Sequence, residues 1–206
     1  MSLRNTPHRY GRVAQALHWT VALLFLLAFV SVYVRQYLTT DDTTPNWVAL
    51  RAHLSLGLSV ILFAALRLWW KLANEAPANP PGTWWEHLAA HAAHWTLYLL
   101  MFAMPLTGYL GTGVDTDFFG LFTIPKFEDT AIHTVVVQGW LGLTPEAFEE
   151  PVDWLHKQLG EVFVLLLVGL HVAAALYHHY VRRDDVLTRM LPERREAAPA
   201  PAVAAE

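Results

Sequence analysis

Histidines beside and within long apolar stretches constrain this chain more than any other feature. The stretches are Trp19–Val34, Leu54–Trp70, Trp95–Gly111 and Val162–Tyr177. Three of the four carry histidines at matched depths, and these are His18, His53, His156 and His171. A histidine is costly inside a lipid bilayer and commonly marks a functional site there. The pattern therefore indicates a membrane bundle with polar chemistry in its interior.

Each apolar stretch is close to the lower limit of the ~17–25 residues that cross a bilayer, and amphipathic flanks lengthen it. We therefore predict an all-α membrane protein, a four-transmembrane-helix bundle. The predicted spans cover about residues 13–37, 46–72, 84–110 and 151–181. They form one domain over residues 1–192, and the Ala-, Pro- and Glu-rich tail at 193–206 is predicted to be disordered.

The placement of Lys and Arg sets the predicted orientation, because cytoplasmic loops of membrane proteins are enriched in them. The N-terminus carries three arginines and the C-terminal tail carries five. Both termini and the 71–87 loop are thus expected in the cytoplasm. The 35–52 and 112–155 segments are expected outside, and the second of these is acidic. No small-residue cleavage site follows the basic start, so the first stretch is predicted to be a span and not a signal peptide.

This orientation gives each histidine a depth. His53 and His156 begin spans that run inward, so both are expected near the outer face. His18 begins an outward-running span and is expected near the inner face. His171 lies fifteen residues beyond His156, ~22 Å along a helix, which also places it near the inner face. We predict two pairs, His53 with His156 and His18 with His171.

Two histidine pairs at two depths can supply the axial ligands of two haems, one above the other. Gly57 and Gly160 each follow an outer histidine by four residues, so each lies on the histidine's face of its helix, where a flat macrocycle needs room. Close helix packing explains these glycines equally well. For the four histidines, the alternative is a bundle without a cofactor, in which they are satisfied polar residues.

The chain has no cysteine, which excludes disulfides, iron–sulfur clusters and covalently attached c-type haem. Any haem must therefore be held without a covalent link. The high apolar content favours membrane lipid as a partner. The net charge of −4 gives no indication that the chain binds nucleic acid.

Three basic residues and one further histidine complete the candidate site. Arg51 and Lys157 flank the outer histidines and are candidates to bind an anionic donor or a haem propionate. Arg67 either reaches the cytoplasmic interface or pairs with a propionate, since an unpaired charge in the bilayer costs about 3 kcal/mol. His178 lies seven residues after His171 on nearly the same face. It either donates a proton to a quinone or is an ordinary interfacial residue.

Five other histidines are weaker candidates. His87, His91 and His94 share a face at the start of the third span. They form either a polar patch near haem propionates or a metal site, and the first is favoured because no catalytic metal signature accompanies them. His8 and His133 are expected to be solvated.

Four stretches, taken in their order and spacing, carry a resemblance to a known family. They are ALHW at Ala16–Trp19, RAHLSLGLSVILFAALRLWWKL at Arg51–Leu72, HLAAHAAHWTLYLLMFAMPLTGY at His87–Tyr109 and GLHVAAALYHHYVRRDDVLTRMLP at Gly169–Pro192. Together they resemble bacterial cytochrome b561, a family of di-haem membrane proteins with superoxide oxidases among its members. The resemblance covers most of residues 10–192.

The resemblance implies a multi-pass protein of the bacterial inner membrane that holds two b haems on His18, His53, His156 and His171. It implies a superoxide:quinone oxidoreductase, in which superoxide gives its electron outside, the haems relay it, and quinone is reduced inside near His178. The alternative is a non-catalytic cytochrome b subunit that passes electrons from a dehydrogenase or hydrogenase to quinone. The long outer loop would then be the docking surface for that redox partner.

The spacing of the two histidines in the fourth span departs from the family pattern. His156 and His171 are fifteen residues apart, whereas the family has fourteen. On a straight helix, fifteen residues turn the second histidine ~60° from the first, and fourteen turn it ~40° the other way. One extra residue in a π-bulge restores the register. We therefore predict a π-bulge or a comparable irregularity between Gly160 and Gly169.

Overall fold

The computed structural model describes residues 2–192, so the predicted disordered tail at 193–206 lies outside the described residues. Four long helices dominate this part of the chain. They are α1 (Arg12–Leu38), α2 (Thr44–Ala73), α3 (Trp84–Leu110) and α4 (Pro145–Arg182). Between α3 and α4 lie an antiparallel hairpin, β1 (Thr116–Phe118) with β2 (Phe122–Ile124), a 3₁₀ turn at Phe127–Asp129 and a π-helix at His133–Trp140.

Three of these helices, α1, α2 and α4, are long and apolar enough to cross a membrane, as judged within residues 2–192. The third helix, α3, has 27 residues and is about 40 Å long, which is also enough length for a crossing. Three histidines in its first half and Pro105 and Gly108 in its second interrupt the apolar sequence of α3. The chain is therefore a helical membrane protein with three candidate spans and a fourth long helix beside them.

Local sequence signals account for where α3 and α4 begin. A capping box starts α3, because Glu86 accepts hydrogen bonds from the main-chain N–H and the hydroxyl of Thr83. Thr144 caps α4 by accepting from the N–H of Ala147, and Pro145 takes the first helical position. The predicted fourth span begins six residues later, at 151, because that prediction followed hydropathy and the first turns of α4 are polar. The 38 residues of α4 make it about 57 Å long.

The helices pack in chain order, α1 on α2, α2 on α3 and α3 on α4. The buried core sits between the first three helices and consists of Val21, Val60, Ala64, Tyr98 and Met101. Most other large apolar side chains on the helices are exposed on the outside of the bundle. Such a surface is suited to contact with lipid, because the helices satisfy their own main-chain hydrogen bonds.

The segment between α3 and α4 folds against the end of the bundle that holds His53 and His156, which keeps the name outer end from the predicted orientation. The hydroxyl of Ser55, on α2, donates to the main-chain oxygen of Asp117 and accepts from the N–H of Phe119, each at 3.1 Å. His133 was predicted to be solvated, and this is wrong, because its side chain is 0% exposed. The segment packs His133 between Phe127 and Phe148, where the 133–140 π-helix meets α4.

The C-terminal segment closes the opposite end of the bundle, which holds His18 and His171 and keeps the name inner end from the predicted orientation. The amide of Gln15 donates to the main-chain oxygens of Arg189 and Leu191 at 3.1 and 3.2 Å. The indole N–H of Trp19 donates to the main-chain oxygen of Met190 at 2.8 Å. These bonds hold residues 189–191 against the start of α1, next to His18.

Candidate functional site

The structure brings the four span histidines together as two pairs. The ring centres of His53 and His156 are 6.1 Å apart, and those of His18 and His171 are 6.2 Å apart. A bond between an imidazole nitrogen and a transition metal is about 2 Å long, so two rings on opposite sides of one metal ion have centres about 6 Å apart. Both pairs therefore have the separation that one iron between two imidazoles requires.

Main-chain oxygens orient both rings of the outer pair. Nδ1 of His53 lies 3.0 Å from the oxygen of Ala28, and Nδ1 of His156 lies 3.0 Å from the oxygen of Met104. A carbonyl oxygen can only accept, so each Nδ1 carries the hydrogen and each Nε2 has a free lone pair. This is the arrangement in which metal-bound histidines are held, with the second nitrogen donating to a carbonyl.

A π-helical segment in α4 solves the register problem posed by the fifteen-residue spacing. Leu159–Val164 is π-helical, between two regular α-helical stretches. The predicted irregularity between Gly160 and Gly169 is therefore present, and it overlaps the first part of that stretch. Because the π-helical turns accommodate the extra residue, the ring of His156 faces that of His53 and the ring of His171 faces that of His18.

A cavity of about 870 Å³ surrounds the outer pair. His53 and Gly57 line it from α2, and His156 and Gly160 line it from α4. A Cβ atom at Gly57 would meet nothing within 4 Å, so this glycine borders open space. The outer end of α1 forms a further wall, with aromatic side chains such as that of Tyr33. A large apolar cavity with a few polar groups is the usual form of a cofactor site.

The inner pair has a third histidine beside it. His94, on α3, has its ring centre 5.5 Å from that of His171. Nδ1 of His18 is buried and has no hydrogen-bond partner among the described residues. The inner pair therefore lacks the main-chain support of the outer pair. Three imidazoles from three different helices meet at this level.

Arg67 and Lys71 lie close to the inner histidines on α2. The guanidinium of Arg67 lies 5.4 Å from the ring centre of Tyr98, and the ammonium of Lys71 lies 4.4 Å from that of Trp95. Within residues 2–192, neither cation forms an ion pair with a carboxylate. Two cations without an acidic partner leave a position suited to an anionic group of a bound molecule.

The two outer cations are both paired with acids. Arg51 lies 3.7 Å from Asp117 of the hairpin, and its side chain is 62% exposed. Lys157 lies 2.6 Å from Asp153, one turn earlier on α4. Lys157 also lines the outer cavity, whereas Arg51 is not among the residues that line it. The charge that each cation offers to an incoming anion is thus partly neutralised.

His178 is held by a carboxylate at the inner end of α4. Its Nδ1 lies 2.5 Å from Oδ2 of Asp184, and both side chains are mostly buried. Burial by itself raises the pKa of the Asp184 carboxyl, but hydrogen bonds from His178 and from the N–H of Val186 lower it below its ordinary value. An ionised Asp184 makes Nδ1 of His178 the donor of this hydrogen bond and leaves Nε2 of the ring outside it.

The three histidines at the start of α3 do not act together. His91 accepts a hydrogen bond from the indole of Trp95 at 2.9 Å, whereas His94 turns toward His171. His87 lies near Gly82. Among the described residues, no cluster of three or more His, Asp or Glu side chains could hold a metal ion. A shared metal site at His87, His91 and His94 is therefore wrong for this part of the chain.

Comparison with known proteins identifies the family. The family described as prokaryotic cytochrome b561 matches residues 9–193. The chain belongs to this family. It is 32% identical over 197 residues to cytochrome b561 homolog 2 of Escherichia coli (strain K12), covering 93% of this chain and 95% of that protein. It is 28% identical over 191 residues to the probable superoxide oxidase CybB of Yersinia pestis, covering 91% of this chain and 98% of that protein.

A cytochrome b561 is a haem-binding electron-transfer protein, so this chain is a haem-binding electron carrier of a bacterial membrane. The residues of the outer cavity fit haem b. Two imidazoles offer their Nε2 atoms at the separation that one iron needs. Gly57 leaves room beside them for a flat ring, whereas at Gly160, which also lines the cavity, a Cβ atom would lie only 3.2 Å from Cε of Met104. Cysteine is absent from the sequence, in keeping with non-covalent binding.

Two residues of the site were missed in the sequence. Glu161 lines the outer cavity, and it is the only Asp, Glu, Lys or Arg between Lys157 and Arg182. A single acidic residue within an apolar stretch is visible in the sequence and was enough to indicate a site residue. Asp184 follows His178 by six residues, beyond the end of the helix, and only the turn at Arg183, with φ of 56°, brings it back to the histidine.

Proposed function

We propose that this chain is a di-haem membrane cytochrome that transfers electrons from superoxide, at the outer face, to quinone at the inner face. The observation that carries the proposal is the repeated histidine pair, with ring centres 6.1 and 6.2 Å apart at two levels of one bundle. His53 and His156 hold one haem b, and His18 and His171 hold the other. Bound haem supplies one-electron redox chemistry at its iron.

In this proposal α3 crosses the membrane together with α1, α2 and α4, which makes four spans in all. Both termini are cytoplasmic, and the membrane is the bacterial inner membrane. The length of α3 supports its crossing, and so does its packing between α2 and α4. The arginines near both termini support the orientation. His156 and His171 are fifteen residues apart on α4, which separates the two sites by about 20 Å along the bundle. Two sites so spaced connect most of the ~30 Å hydrocarbon core.

The inner basic residues have a role in holding the inner haem. Arg67 and Lys71 have no carboxylate partner among the described residues, and both lie on aromatic rings beside the inner histidines. The propionates of a haem would supply the missing negative charge. Of the two interpretations of Arg67, pairing with a propionate is therefore better supported than snorkelling to the interface.

His178 is proposed to deliver protons to quinone. Reducing a quinone to a quinol takes two electrons and two protons, and two superoxide ions that become O₂ supply the two electrons. An imidazole whose Nδ1 is held by a carboxylate can pass a proton from the cytoplasmic side to a bound quinone. His178 shares a face of α4 with His171, so a quinone beside it is close to the inner site.

At the outer end, Arg51 and Lys157 are proposed to flank the donor site. Lys157 lines the outer cavity, and Arg51 reaches the hairpin that packs on the first half of α2. Support for superoxide as the donor comes from the similarity to the probable superoxide oxidase. The carboxylates of Asp117 and Asp153 reduce the local positive charge, so long-range attraction of an anion is weak here.

A second candidate function has its own observation. The hairpin and the π-helix of the outer segment expose large apolar side chains, among them Leu121 at 76% and Trp140 at 78%. Such a surface suits docking of a dehydrogenase or hydrogenase partner. In that case the chain is a cytochrome b anchor subunit that passes the partner's electrons to quinone.

Mixing the purified protein with a superoxide source separates the two functions. Reduction of the haem spectrum within seconds, abolished by superoxide dismutase, is the result expected for a superoxide oxidase. Haems that stay oxidised with superoxide, yet are reduced by dithionite and reoxidised by quinone, would instead favour the anchor subunit. A colourless protein would contradict both functions.

A further inference from the structure

Two hydroxyl side chains contact the rings of the outer histidine pair from behind. Oγ of Ser31, on α1, lies 3.4 Å from Nδ1 of His53, and Oγ1 of Thr107, on α3, lies 3.2 Å from Nδ1 of His156. The side chain of Ser31 is buried and that of Thr107 is partly buried, and neither is among the residues that line the outer cavity. Each hydroxyl therefore contacts the ring nitrogen on the far side from the Nε2 atom that is free to bind iron.

The helix backbone fixes the direction of these two contacts. The hydroxyl of Ser31 donates to the main-chain oxygen of Ala28 at 2.8 Å. The hydroxyl of Thr107 lies 2.7 Å from the main-chain oxygen of Ala103 and 3.1 Å from that of Met104. A hydroxyl has one hydrogen and two lone pairs, so an oxygen whose hydrogen is held by the backbone can only accept from the imidazole.

The same arrangement thus occurs twice, on two different helices. The Nδ1 hydrogen of His53 is shared between the oxygen of Ala28 at 3.0 Å and the hydroxyl of Ser31, three residues later. The Nδ1 hydrogen of His156 is shared between the oxygen of Met104 at 3.0 Å and a hydroxyl that is also three residues later. Residues three apart lie on one face of a helix, which brings both acceptors to one ring.

The inner pair differs from the outer pair in this respect. Nδ1 of His18 is buried and has no hydrogen-bond partner among the described residues. No hydroxyl forms a hydrogen bond with the ring of His171 within residues 2–192. The two pairs have almost the same ring separation, so the hydrogen bonds behind the rings are what distinguishes the two sites.

We propose that Ser31 and Thr107 are positioning residues of the outer haem site, whose hydroxyls lower the reduction potential of the haem bound there. The inference rests on the di-haem function proposed above. An acceptor that draws on the Nδ1 hydrogen makes the imidazole a more basic ligand. A more basic ligand gives more charge to the iron and stabilises the ferric form relative to the ferrous form.

The direction of this effect suits inward electron transfer. Acceptors behind the outer ligands favour loss of the electron from the outer haem. Arg67 and Lys71, which lie beside the inner histidines, favour the reduced form of the inner haem, because that form carries one positive charge fewer. Both features therefore favour transfer of the electron from the outer haem to the inner haem.

Spectroelectrochemical titration of the purified protein, after its haem content is measured, tests the inference. Two potential components should be resolved, and the outer one is the component that is missing from His53→Ala. Ser31→Ala and Thr107→Val each remove one hydroxyl, and each should raise the potential of the outer component. We expect the ferric-to-ferrous equilibrium to shift severalfold, where a tenfold shift corresponds to about 59 mV for one electron. The inner component should be unchanged.

Two kinds of control variant distinguish the hydroxyl from the shape of the side chain. Ser31→Thr and Thr107→Ser keep a hydroxyl and should keep the potential of the unmodified chain. Ser59→Ala and Thr96→Val remove hydroxyls that also donate to main-chain oxygens of their own helices but form no hydrogen bond with a histidine among the described residues. They should leave both components unchanged.

Pulsed EPR of the oxidised unmodified chain gives a readout that depends on no variant, should Ser31→Ala and Thr107→Val fail to keep the outer haem. The quadrupole coupling of an imidazole Nδ1 reports the strength of the hydrogen bond that it donates. The couplings should therefore separate into two sets, one from the outer ligands and one from the inner ligands.

Three results would overturn the inference. They are an outer potential that is unchanged in both hydroxyl variants, an equal shift in Ser59→Ala or Thr96→Val, and one common Nδ1 coupling for both haems. A failure of the proposed function is recognised separately, because the unmodified chain would then contain fewer than two haems. Two haems with unchanged potentials would contradict this inference alone.

Discussion

Oδ2 of Asp184 lies 2.5 Å from Nδ1 of His178, just beyond the inner end of α4. The carboxylate reaches the imidazole because the chain reverses at Arg183, in the left-handed region at φ 56°. A histidine whose Nδ1 is fixed by an acid presents its Nε2 in a defined direction, which is what proton delivery requires. The pair is therefore the most specific feature of the proposed quinone site.

Replacing His178 should slow quinone reduction without affecting the outer end. We expect His178→Ala to slow reoxidation of the haems by quinone by about tenfold or more, since a positioned acid contributes at least that much. Reduction by superoxide should be unchanged. Stopped-flow absorbance measures both steps. The neighbouring His179 contacts Tyr180 and has no carboxylate partner in the described residues, so His179→Ala is the matched control. Unchanged quinone turnover in His178→Ala would place quinone elsewhere.

The melting temperature of the protein should depend on pH through the contact between His178 and Asp184. The pKa of Asp184 is lowered in the folded protein, so its stabilising contribution is present above the ordinary Asp pKa of about 3.9 and is lost as the pH falls through the lowered value. The unmodified chain should therefore melt at a higher temperature than Asp184→Asn at pH 6. The difference should shrink below about pH 4. A difference that is the same at pH 3 and pH 6 would contradict the assignment.

At the outer end, Arg51 and Asp117 should have opposite effects. Arg51→Ala removes a cation near the proposed donor site and should slow reduction by superoxide severalfold at low salt. Asp117→Asn removes the carboxylate that lies 3.7 Å from Arg51, and this variant should be reduced by superoxide faster than the unmodified chain. Both effects should fade at high salt, because both side chains are exposed to solvent. Rates of haem reduction in a superoxide-generating system measure this. Equal rates in the two variants would remove Arg51 from the donor site.

Gly108 allows α3 to approach the outer ligand, and adding a methyl group there should disturb it. A Cβ atom at Gly108 would lie 3.0 Å from Cε1 of His156, closer than ordinary contact. Gly108→Ala should therefore displace the imidazole and shift the potential and the low-spin spectrum of one haem. Gly169→Ala is the matched control, since a Cβ there meets nothing within 4 Å. Identical spectra in the two variants would show that His156 does not bind the cofactor in this orientation.

Hydropathy and histidine depth were enough to predict how the helices pair their histidines. His53 faces His156 and His18 faces His171, as their depths in the spans predict. The π-helical segment followed from counting fifteen residues between His156 and His171, because a helix of fixed pitch cannot place both inward at that spacing. These features depend on periodicity, which a sequence displays directly.

Features that depend on how distant segments pack were not visible in the sequence. His133 is polar and lies in an acidic loop, so exposure was expected, yet Phe127 and Phe148 enclose it completely. His94 was grouped with His87 and His91 by helical periodicity, whereas tertiary packing turns it toward His171. In each case at least one contact partner, Phe148 for His133 and His171 for His94, is more than ten residues away in the chain, and no local pattern encodes that contact.

Haem quantification on the purified chain and on four ligand variants tests the central proposal most directly. The account predicts two haems b per unmodified chain, both six-coordinate with two histidine ligands. His18→Ala and His171→Ala should each lose the inner haem, and His53→Ala and His156→Ala should each lose the outer one, leaving one haem per chain. One haem in the unmodified chain, or two haems retained in any of these variants, would contradict it.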